Sequence, residues 1–178
     1  MSSILRFFSA TQGRQGYRIY VTPDELLCVR IAGKRPARAF GGGLVGAVGN
    51  ENAYQEALAE YERDVESQCA DLVRRGVDAL RIYIKANKRG YVLDWDDCDE
   101  VTLDYVGKWK RWFFGTPEPA LIVRHRKVGQ VKLRLPEKKD VVIALFELQA
   151  MLGDKLQVGL NTDDYKKALR KYEKIRQS

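Results

Sequence analysis

The chain has 178 residues, of which 45% are hydrophobic and 31% are charged, and these fractions are typical of a globular protein rather than of a disordered or fibrous one. No uninterrupted apolar run approaches the roughly 18 residues that span a bilayer, and the brief apolar patch at the N-terminus contains a charge, so we expect neither a membrane span nor a cleaved signal peptide. The 31 basic and 24 acidic residues give a net charge of +7, which favours acidic partners such as lipid head groups, nucleic acid or acidic protein surfaces.

Chain length and cysteine usage bound the domain count and the compartment. A length of 178 residues predicts one domain, residues 1–178. The cysteines Cys28, Cys69 and Cys98 are far apart and form no C-x-x-C pair. Such usage predicts reduced thiols in a cytoplasmic protein.

The first predicted elements are two strands. Tyr17–Val21 and Leu26–Ile31 are rich in β-forming residues, and the link between them contains Pro23 and Asp24. Proline followed by aspartate suits a tight turn, so we predict a β-hairpin.

A glycine-rich segment and a helix follow this hairpin. Five glycines fall within Gly41–Gly49, which favours a flexible loop. Asn50 can cap a helix that begins at Glu51, and apolar residues then recur every three or four positions. This helix is predicted to end near Arg75.

The segment VDALRIYIKA, residues 77–86, fits two structures. Val77, Leu80 and Ile84 have helical spacing, whereas Leu80, Ile82 and Ile84 alternate as in a strand. Periodicity alone leaves both structures open.

Short strands and a long helix are predicted in the second half of the chain. GYVLDW, DEVTLDYVGKW, ALIVRH and QVKLRL alternate apolar and polar residues, and a hairpin-sized loop, Lys127–Gln130, joins the last two. The helix PEKKDVVIALFELQAMLG is predicted to have Pro136 at its first position and to end at Gly153. A last helix, with one apolar and one basic face, is predicted after the capping cluster Thr162–Asp164.

The titratable residues argue against an enzyme. The single histidine, His125, stands among Arg124, Arg126 and Lys127, which would disfavour its protonated form if they lie near it in space. One histidine is also too few for the usual histidine-based zinc sites. The acidic patch Asp94–Glu100 lacks the EF-hand spacing, and the glycine run lacks the P-loop lysine and the dinucleotide-binding spacing. We therefore expect no enzymatic activity, no cofactor and no metal site.

Three basic segments are candidate contact zones. Lys108–Phe114 interleaves cations with aromatic rings, a pattern typical of surfaces that bind nucleic acid or lipid head groups, although a packed core with solvated cations is the structural alternative. A second zone, Lys34–Gly46, combines cations with apolar residues that could contact a membrane surface. The third zone is the pair Lys88 and Arg89, in a predicted turn. The candidate binding residues are Lys34, Arg35, Lys88, Arg89, Lys108, Trp109, Lys110, Arg111 and Trp112.

From Leu80 to Leu156 the chain resembles bacterial domains with a pleckstrin-homology-like fold, in which a barrel of two antiparallel sheets is closed by a C-terminal helix. The resemblance rests on the order ALRIYIKANKRGYVLDWDDCDEVTLDY, ALIVRH, GQVKLRL and KKDVVIALFELQAMLG. It implies an α+β barrel or sandwich whose first strands come from YRIYVTPDELLCVRI, with a helical insertion at residues 38–75 after that hairpin and an extra basic helix at residues 162–178. It also favours a helix for VDALRIYIKA. The link Thr22–Glu25 carries two acids where phosphoinositide-binding members carry a basic loop, so their binding mode does not transfer.

The leading hypothesis from the sequence is a non-enzymatic binding module that recognises a protein partner or an acidic membrane surface, in the cytoplasm or peripheral at the membrane. The alternative is a nucleic-acid-binding protein that uses Trp109, Trp112 and the basic C-terminal helix. A fold of this class does not by itself identify the partner.

Overall fold

The computed structural model describes residues 6–13, 15–34, 44–87, 90–106 and 118–177 of the chain. Within these ranges the predicted α+β class is confirmed, with eight strands in one mixed sheet and four α-helices. The strands are β1 (Phe7–Gln12), β2 (Gln15–Val21), β3 (Glu25–Lys34), β4 (Gly90–Asp94), β5 (Cys98–Val106), β6 (Glu118–His125), β7 (Gly129–Arg134) and β8 (Leu156–Val158). The helices are α1 (Leu44–Arg74), α2 (Val77–Asn87), α3 (Lys138–Leu152) and α4 (Lys166–Gln177).

The sheet consists of two antiparallel groups of strands that meet at a narrow junction. Its strand order is β4-β3-β2-β1-β7-β6-β5-β8, with β8 parallel to β5. At the junction, β1 and β7 share one paired position, Thr11 with Arg134. The main core joins apolar side chains of both groups with those of α3, for example Phe8, Leu103 and Leu145. The two groups therefore enclose the core, and α3 packs beside it.

The first group of strands is buried on both faces. Residues 16–21 of β2 are all buried. Ile19 belongs to the main core, whereas Tyr20 belongs to a second core with Val65 of α1 and Leu80 of α2. Because strand residues alternate between faces, α1 and α2 must cover the outer face of β2 and β3.

The predicted β-hairpin is confirmed as β2 and β3. In its turn, the N–H of Thr22 donates to the carbonyl of Glu25 at 3.0 Å, and the Thr22 hydroxyl donates to the same carbonyl at 2.8 Å. The indole Nε1 of Trp95 donates to the carbonyl of Thr22 at 2.9 Å. The segment that follows β4 is thereby fixed to the hairpin turn.

The predicted loop at Gly41–Gly49 and the predicted cap at Asn50 are wrong for the residues that the structure describes. α1 begins at Leu44, so Asn50 lies inside the helix, while residues 41–43 fall outside the described part. An interior glycine weakens a helix by about 1 kcal/mol relative to alanine. A helix of 31 residues tolerates this because extension of an existing helix is far easier than nucleation.

The ambiguous segment 77–86 is helical and belongs to α2. Leu80 and Ile84 are buried in the second core, and Val77 packs against it. Ile82, which a strand pattern would place with them, is 67% exposed. The helical spacing, which the resemblance also favoured, is therefore the one that the packing uses.

The strands and the long helix predicted in the second half are confirmed as β4 to β7 and α3. As predicted, α3 ends at Gly153, whose φ of 53° suits glycine. The predicted start is wrong, because Glu137 is the N-cap and Pro136 precedes it. The N–H of Leu135 donates to the carbonyl of Pro119 at 2.8 Å, which prolongs the strand pairing and keeps the chain extended up to Pro136.

Two strands, β1 and β8, add to those predicted. Since β1 precedes the predicted hairpin, the helices α1 and α2 follow the third strand of the fold. The predicted basic last helix is confirmed as α4, after a 3-10 turn, Thr162–Tyr165, that Asn161 caps. None of the helices in the described ranges is long and apolar enough to cross a membrane.

Candidate functional site

A cleft of about 440 Å³ lies between the β1–β2 hairpin and the helices α1, α3 and α4. Its walls include the apolar side chains of Phe7, Val65 and Ile143 and the charged side chains of Arg18 and Asp140. Small-molecule sites in proteins are typically clefts of roughly 300–1,000 Å³ with mostly apolar walls and a few polar groups. The cleft has the size and the composition of such a site.

A glycine on β2 allows α1 to approach the sheet at this cleft. A Cβ atom at Gly16 would lie 1.8 Å from the Oη of Tyr61 on α1. Tyr61 and Val65, about one helical turn apart, both line the cleft. The missing side chain at position 16 therefore leaves room for the Tyr61 hydroxyl beside β2.

Arg18 is a buried charge in the cleft, with a relative exposure of 5%. Its Nη2 donates to the Oε2 of Glu66 at 2.9 Å, and its guanidinium carbon lies 3.9 Å from the centre of the Phe7 ring. Its Nε atom is buried and has no hydrogen-bond partner. Buried donors are normally paired, so this open N–H marks a position where an added acceptor would be stabilised.

The side chains behind Arg18 supply it with no negative charge. Burial raises the pKa of Tyr20, Cys69 adds to that shift, and the Arg18 guanidinium opposes it. Burial also raises the pKa of the Cys69 thiol, again opposed by Arg18. Both groups therefore stay protonated near neutral pH, and the carboxylate of Glu66 balances the charge of Arg18.

The other carboxylates around the cleft are also engaged, each by a donor on a different element. This network joins β1, α1, α3 and α4 across the cleft. The pairs are Lys139 Nζ with Glu62 Oε1 (2.9 Å), the N–H of Ser9 with Asp140 Oδ1 (2.8 Å), and Arg6 Nη1 and Tyr172 Oη with Glu147 Oε1 (3.4 and 3.0 Å).

A second charged feature is a row of cations along α4, called the α4 stripe. Their spacing of three and four residues places them on one side of the helix, away from Leu169 and Tyr172, which pack against the main core. All four are exposed, and no carboxylate of the described residues lies within ion-pair distance of them. The α4 stripe consists of Lys167, Arg170, Lys171 and Lys174.

The acidic patch Asp94–Glu100 forms ion pairs with the β6–β7 hairpin. Hydrogen bonding to Lys127 holds the pKa of Asp97 below its usual value. Among the described residues, no three His, Cys, Asp or Glu side chains are grouped so that they could hold a metal ion. The pairs are Asp97 with Lys127, Asp99 with Arg126 (3.0 Å) and Glu100 with Arg124 (3.2 Å).

His125 is buried at the end of β6. Its Nδ1 accepts the backbone N–H of Lys127 at 3.2 Å, and its Nε2 has no hydrogen-bond partner. The cations beside it in sequence form ion pairs with the acidic patch. His125 is therefore packed as a strand residue.

The candidate binding residues predicted from the sequence cannot be placed relative to these features. The backbone of Lys34 ends β3, but its side chain lies outside the described part of the chain. The remaining candidates are outside the described residues altogether, namely Arg35, Lys88, Arg89, Lys108, Trp109, Lys110, Arg111 and Trp112.

Comparisons of the chain with protein-family models, with curated proteins and with solved structures find no match. The functional features therefore rest on the chain's own geometry. The α4 stripe corresponds to the predicted basic face of the last helix. Arg18 was missed by sequence reasoning, although a charge between apolar neighbours in the strand Tyr17–Val21 was a signal for it.

Proposed function

We propose that the protein is a non-enzymatic binding module of pleckstrin-homology-like fold whose α4 stripe recognises an acidic membrane surface. The fold part of the proposal is supported by the two antiparallel groups, β1–β4 and β5–β7, and by the helix α3 that follows the last of these strands. On this interpretation α1 lies in the insertion, residues 38–75, α2 leads into β4, and α4 is the additional C-terminal helix.

The observation that carries the binding proposal is the exposure of four cations on the side of α4 that faces away from the core. Some exposed cations on other elements, such as Arg126 and Lys139, are instead paired with carboxylates. An ion-paired cation has little charge left for a partner, whereas each cation of the α4 stripe is available to one. A Lys or Arg near an anionic membrane contributes about 1 kcal/mol, so four contribute about 4 kcal/mol.

An apolar side chain beside the stripe favours a membrane over other acidic surfaces. Ile175 follows Lys174 on α4 and is 63% exposed. Basic and apolar groups side by side on a surface helix suit the interface of a bilayer, where the charge meets head groups and the apolar group inserts shallowly. The candidate residues Lys34, Arg35, Lys88, Arg89 and Lys108 to Trp112 are proposed as further contacts.

Co-sedimentation with liposomes tests this proposal. The wild-type protein should pellet with acidic vesicles and not with neutral ones, and the pelleted fraction should fall between 0.1 and 1 M salt, because the Debye length shortens from about 10 to about 3 Å. Changing all four residues of the α4 stripe to Gln should lower the partition coefficient by about 100- to 1,000-fold, from the energy above.

A matched variant separates the stripe from net charge. Arg63, Lys85, Lys132 and Lys155 are exposed cations on other elements, and their change to Gln removes the same four charges. If both quadruple variants lose binding equally, binding depends on the net charge of the protein and the α4 stripe is not the site. Release from vesicles by double-stranded DNA would favour the nucleic-acid alternative, and failure to pellet at all would leave a protein partner.

A further inference from the structure

The cleft around Arg18 holds a guanidinium edge that is only half used. The Nε and Nη2 atoms of an arginine lie on the same edge, which a carboxylate or phosphate can meet with two parallel hydrogen bonds. In Arg18 the Nη2 atom donates to Glu66, whereas the buried Nε has no partner. Glu66 therefore accepts from Nη2 alone, and at least the Nε donor of that edge is left unused.

The acceptor of the Nη2 hydrogen bond, Glu66, is the most exposed of the glutamates paired around the cleft. The Glu66 side chain is 63% exposed, whereas the Arg18 side chain is 6% exposed. By contrast, Arg6 is paired with Glu147, which is 5% exposed, and Lys139 with Glu62, which is 39% exposed. Glu66 itself can be solvated outside the cleft, whereas the buried cation that it would leave needs another anion in its place.

Part of the cleft wall around the guanidinium is apolar. The ring of Phe7 lies under the guanidinium, and Val65, Ile143 and Tyr172 contribute to the walls. A cleft of about 440 Å³ accommodates an organic molecule of roughly one ring with its substituents. A free inorganic ion would leave these apolar walls without a contact.

We propose that the cleft binds a small organic anion, whose carboxylate or phosphate takes the Nε and Nη2 edge of Arg18 in place of Glu66 and whose apolar body packs against Phe7, Val65 and Ile143. The site is separate from the α4 stripe and does not depend on the membrane proposal. Glu66 is a positioning residue that occupies the edge when the anion is absent.

Ligand-observed NMR titration of the full chain tests the site with three probes of one shape. Phenylacetate and phenyl phosphate carry the two candidate anionic groups, and phenylacetamide carries none. At least one anion should bind with a dissociation constant in the millimolar range, as expected for a ligand of about ten heavy atoms, and the amide should bind at least tenfold more weakly. Equal binding of the amide and the anions overturns the proposal.

The substitution Glu66→Gln should strengthen anion binding, whereas a substitution that only damages the fold would weaken it. Removing the competing carboxylate should tighten anion binding by about two- to fivefold, the size expected for one partly exposed ion pair. Glu60→Gln is the matched control, because it removes an exposed carboxylate from the same helix outside the cleft and should change nothing. Unchanged or weaker binding in E66Q contradicts the proposal.

Arg18→Gln should reduce anion binding at least tenfold and leave amide binding unchanged. Loss of a buried guanidinium can unfold the chain, so this variant is used only if its circular dichroism spectrum matches the wild type. If it does not fold, the comparison of E66Q with E60Q decides the proposal without it.

Discussion

The backbone N–H of Ser9 donates to the Oδ1 of Asp140 at 2.8 Å, and this hydrogen bond ties β1 to the first turn of α3. β1 pairs with β2 along its length, but with β7 only at Thr11. Its earlier residues would otherwise present unpaired donors at an open edge. The buried carboxylate of Asp140 takes the place of a strand there, so the two groups of strands can separate around the core.

Replacing Asp140 should therefore destabilise the fold. We expect Asp140→Ala to lower the free energy of unfolding by about 2–3 kcal/mol, because the half-buried N–H of Ser9 loses a charged acceptor. Asp140→Asn keeps an acceptor oxygen and should lose about 1 kcal/mol. Urea unfolding followed by circular dichroism measures both. Asp154→Ala, at an exposed carboxylate, is the control and should stay within about 0.5 kcal/mol of the wild type. An equally small effect of D140A would show that the Ser9 bond does not support the sheet.

Gly90, the first residue of β4, should be irreplaceable for two reasons. Its φ is 143°, and an added Cβ would lie 1.8 Å from the backbone carbonyl oxygen of Cys28 on β3. That oxygen belongs to a central strand and cannot move aside as a side chain can. We expect Gly90→Ala to cost more than about 3 kcal/mol of unfolding free energy, measured by urea titration.

The control for this prediction separates backbone conformation from crowding. Gly76, between α1 and α2, has a φ of 89°, but an added Cβ would meet nothing within 4 Å. Gly76→Ala should therefore show the conformational penalty alone, about 1–2 kcal/mol. Similar losses for the two variants would mean that contact with Cys28 adds no cost.

The elements that could be predicted from the sequence are those whose own residues carry a clear periodicity or turn signal. The β2–β3 hairpin has a turn sequence and β-forming residues, and α3 has a broad apolar face and a terminal glycine. β1 was not predicted because its six residues gain their stability from strand pairing and from Asp140, which is 131 residues away from Ser9. No local pattern reports a partner so distant in the chain.

The candidate site was less predictable because it depends on how the helices pack. Arg18 is buried because α1 lies over the outer face of β2, and that placement comes from packing between elements far apart in the chain. The basic face of α4 was predicted correctly, since exposed charges opposite an apolar face follow from helical spacing alone. The proposed contacts at Lys108–Trp112 stay predictions.

Burial of tyrosine and cysteine side chains should make the protein sensitive to alkaline pH. Burial raises the pKa of Tyr17 and of Tyr165 to about 12, with further contributions from Tyr91 and Tyr105 respectively. Burial also raises the pKa of Cys98 to about 11. In the unfolded chain the tyrosines and the cysteine ionise near their ordinary pKa values of 10.0 and 9.0.

The sign of the effect follows from these shifts. A raised pKa means that the folded state holds its protons more tightly, so the stabilisation is complete below pH 9 and is lost as the pH rises towards 12. Urea unfolding at about pH 8, 9.5 and 10.5 should give a falling free energy of unfolding, and Cys98→Ser should reduce the decrease over the lower part of this range. A constant stability up to pH 10.5 would show that these side chains are solvated.

The helix α2 is attached to the hairpin turn by a buried ion pair. The Glu25 side chain is 7% exposed, and Oε1 accepts from both Nε (3.0 Å) and Nη2 (2.6 Å) of Arg81. Asp78 holds the other side of the same guanidinium at 2.7 Å. The carboxylate is thus buried at the end of β3, and its main charged partner comes from the second of the two helices between β3 and β4.

Removing the arginine should cost more than removing the whole pair. We expect Arg81→Met to lower the free energy of unfolding by about 2–4 kcal/mol, less than for a fully enclosed pair because Arg81 is 34% exposed. The double variant Glu25→Met with Arg81→Met should recover most of this loss, since no unpaired charge is then buried. Arg75→Met, in the exposed pair with Asp71, is the control and should change stability by less than about 1 kcal/mol. The double-mutant cycle is measured by urea unfolding. Additive losses would mean that other groups already stabilise Glu25. In that case apolar packing alone would hold α2 to the hairpin.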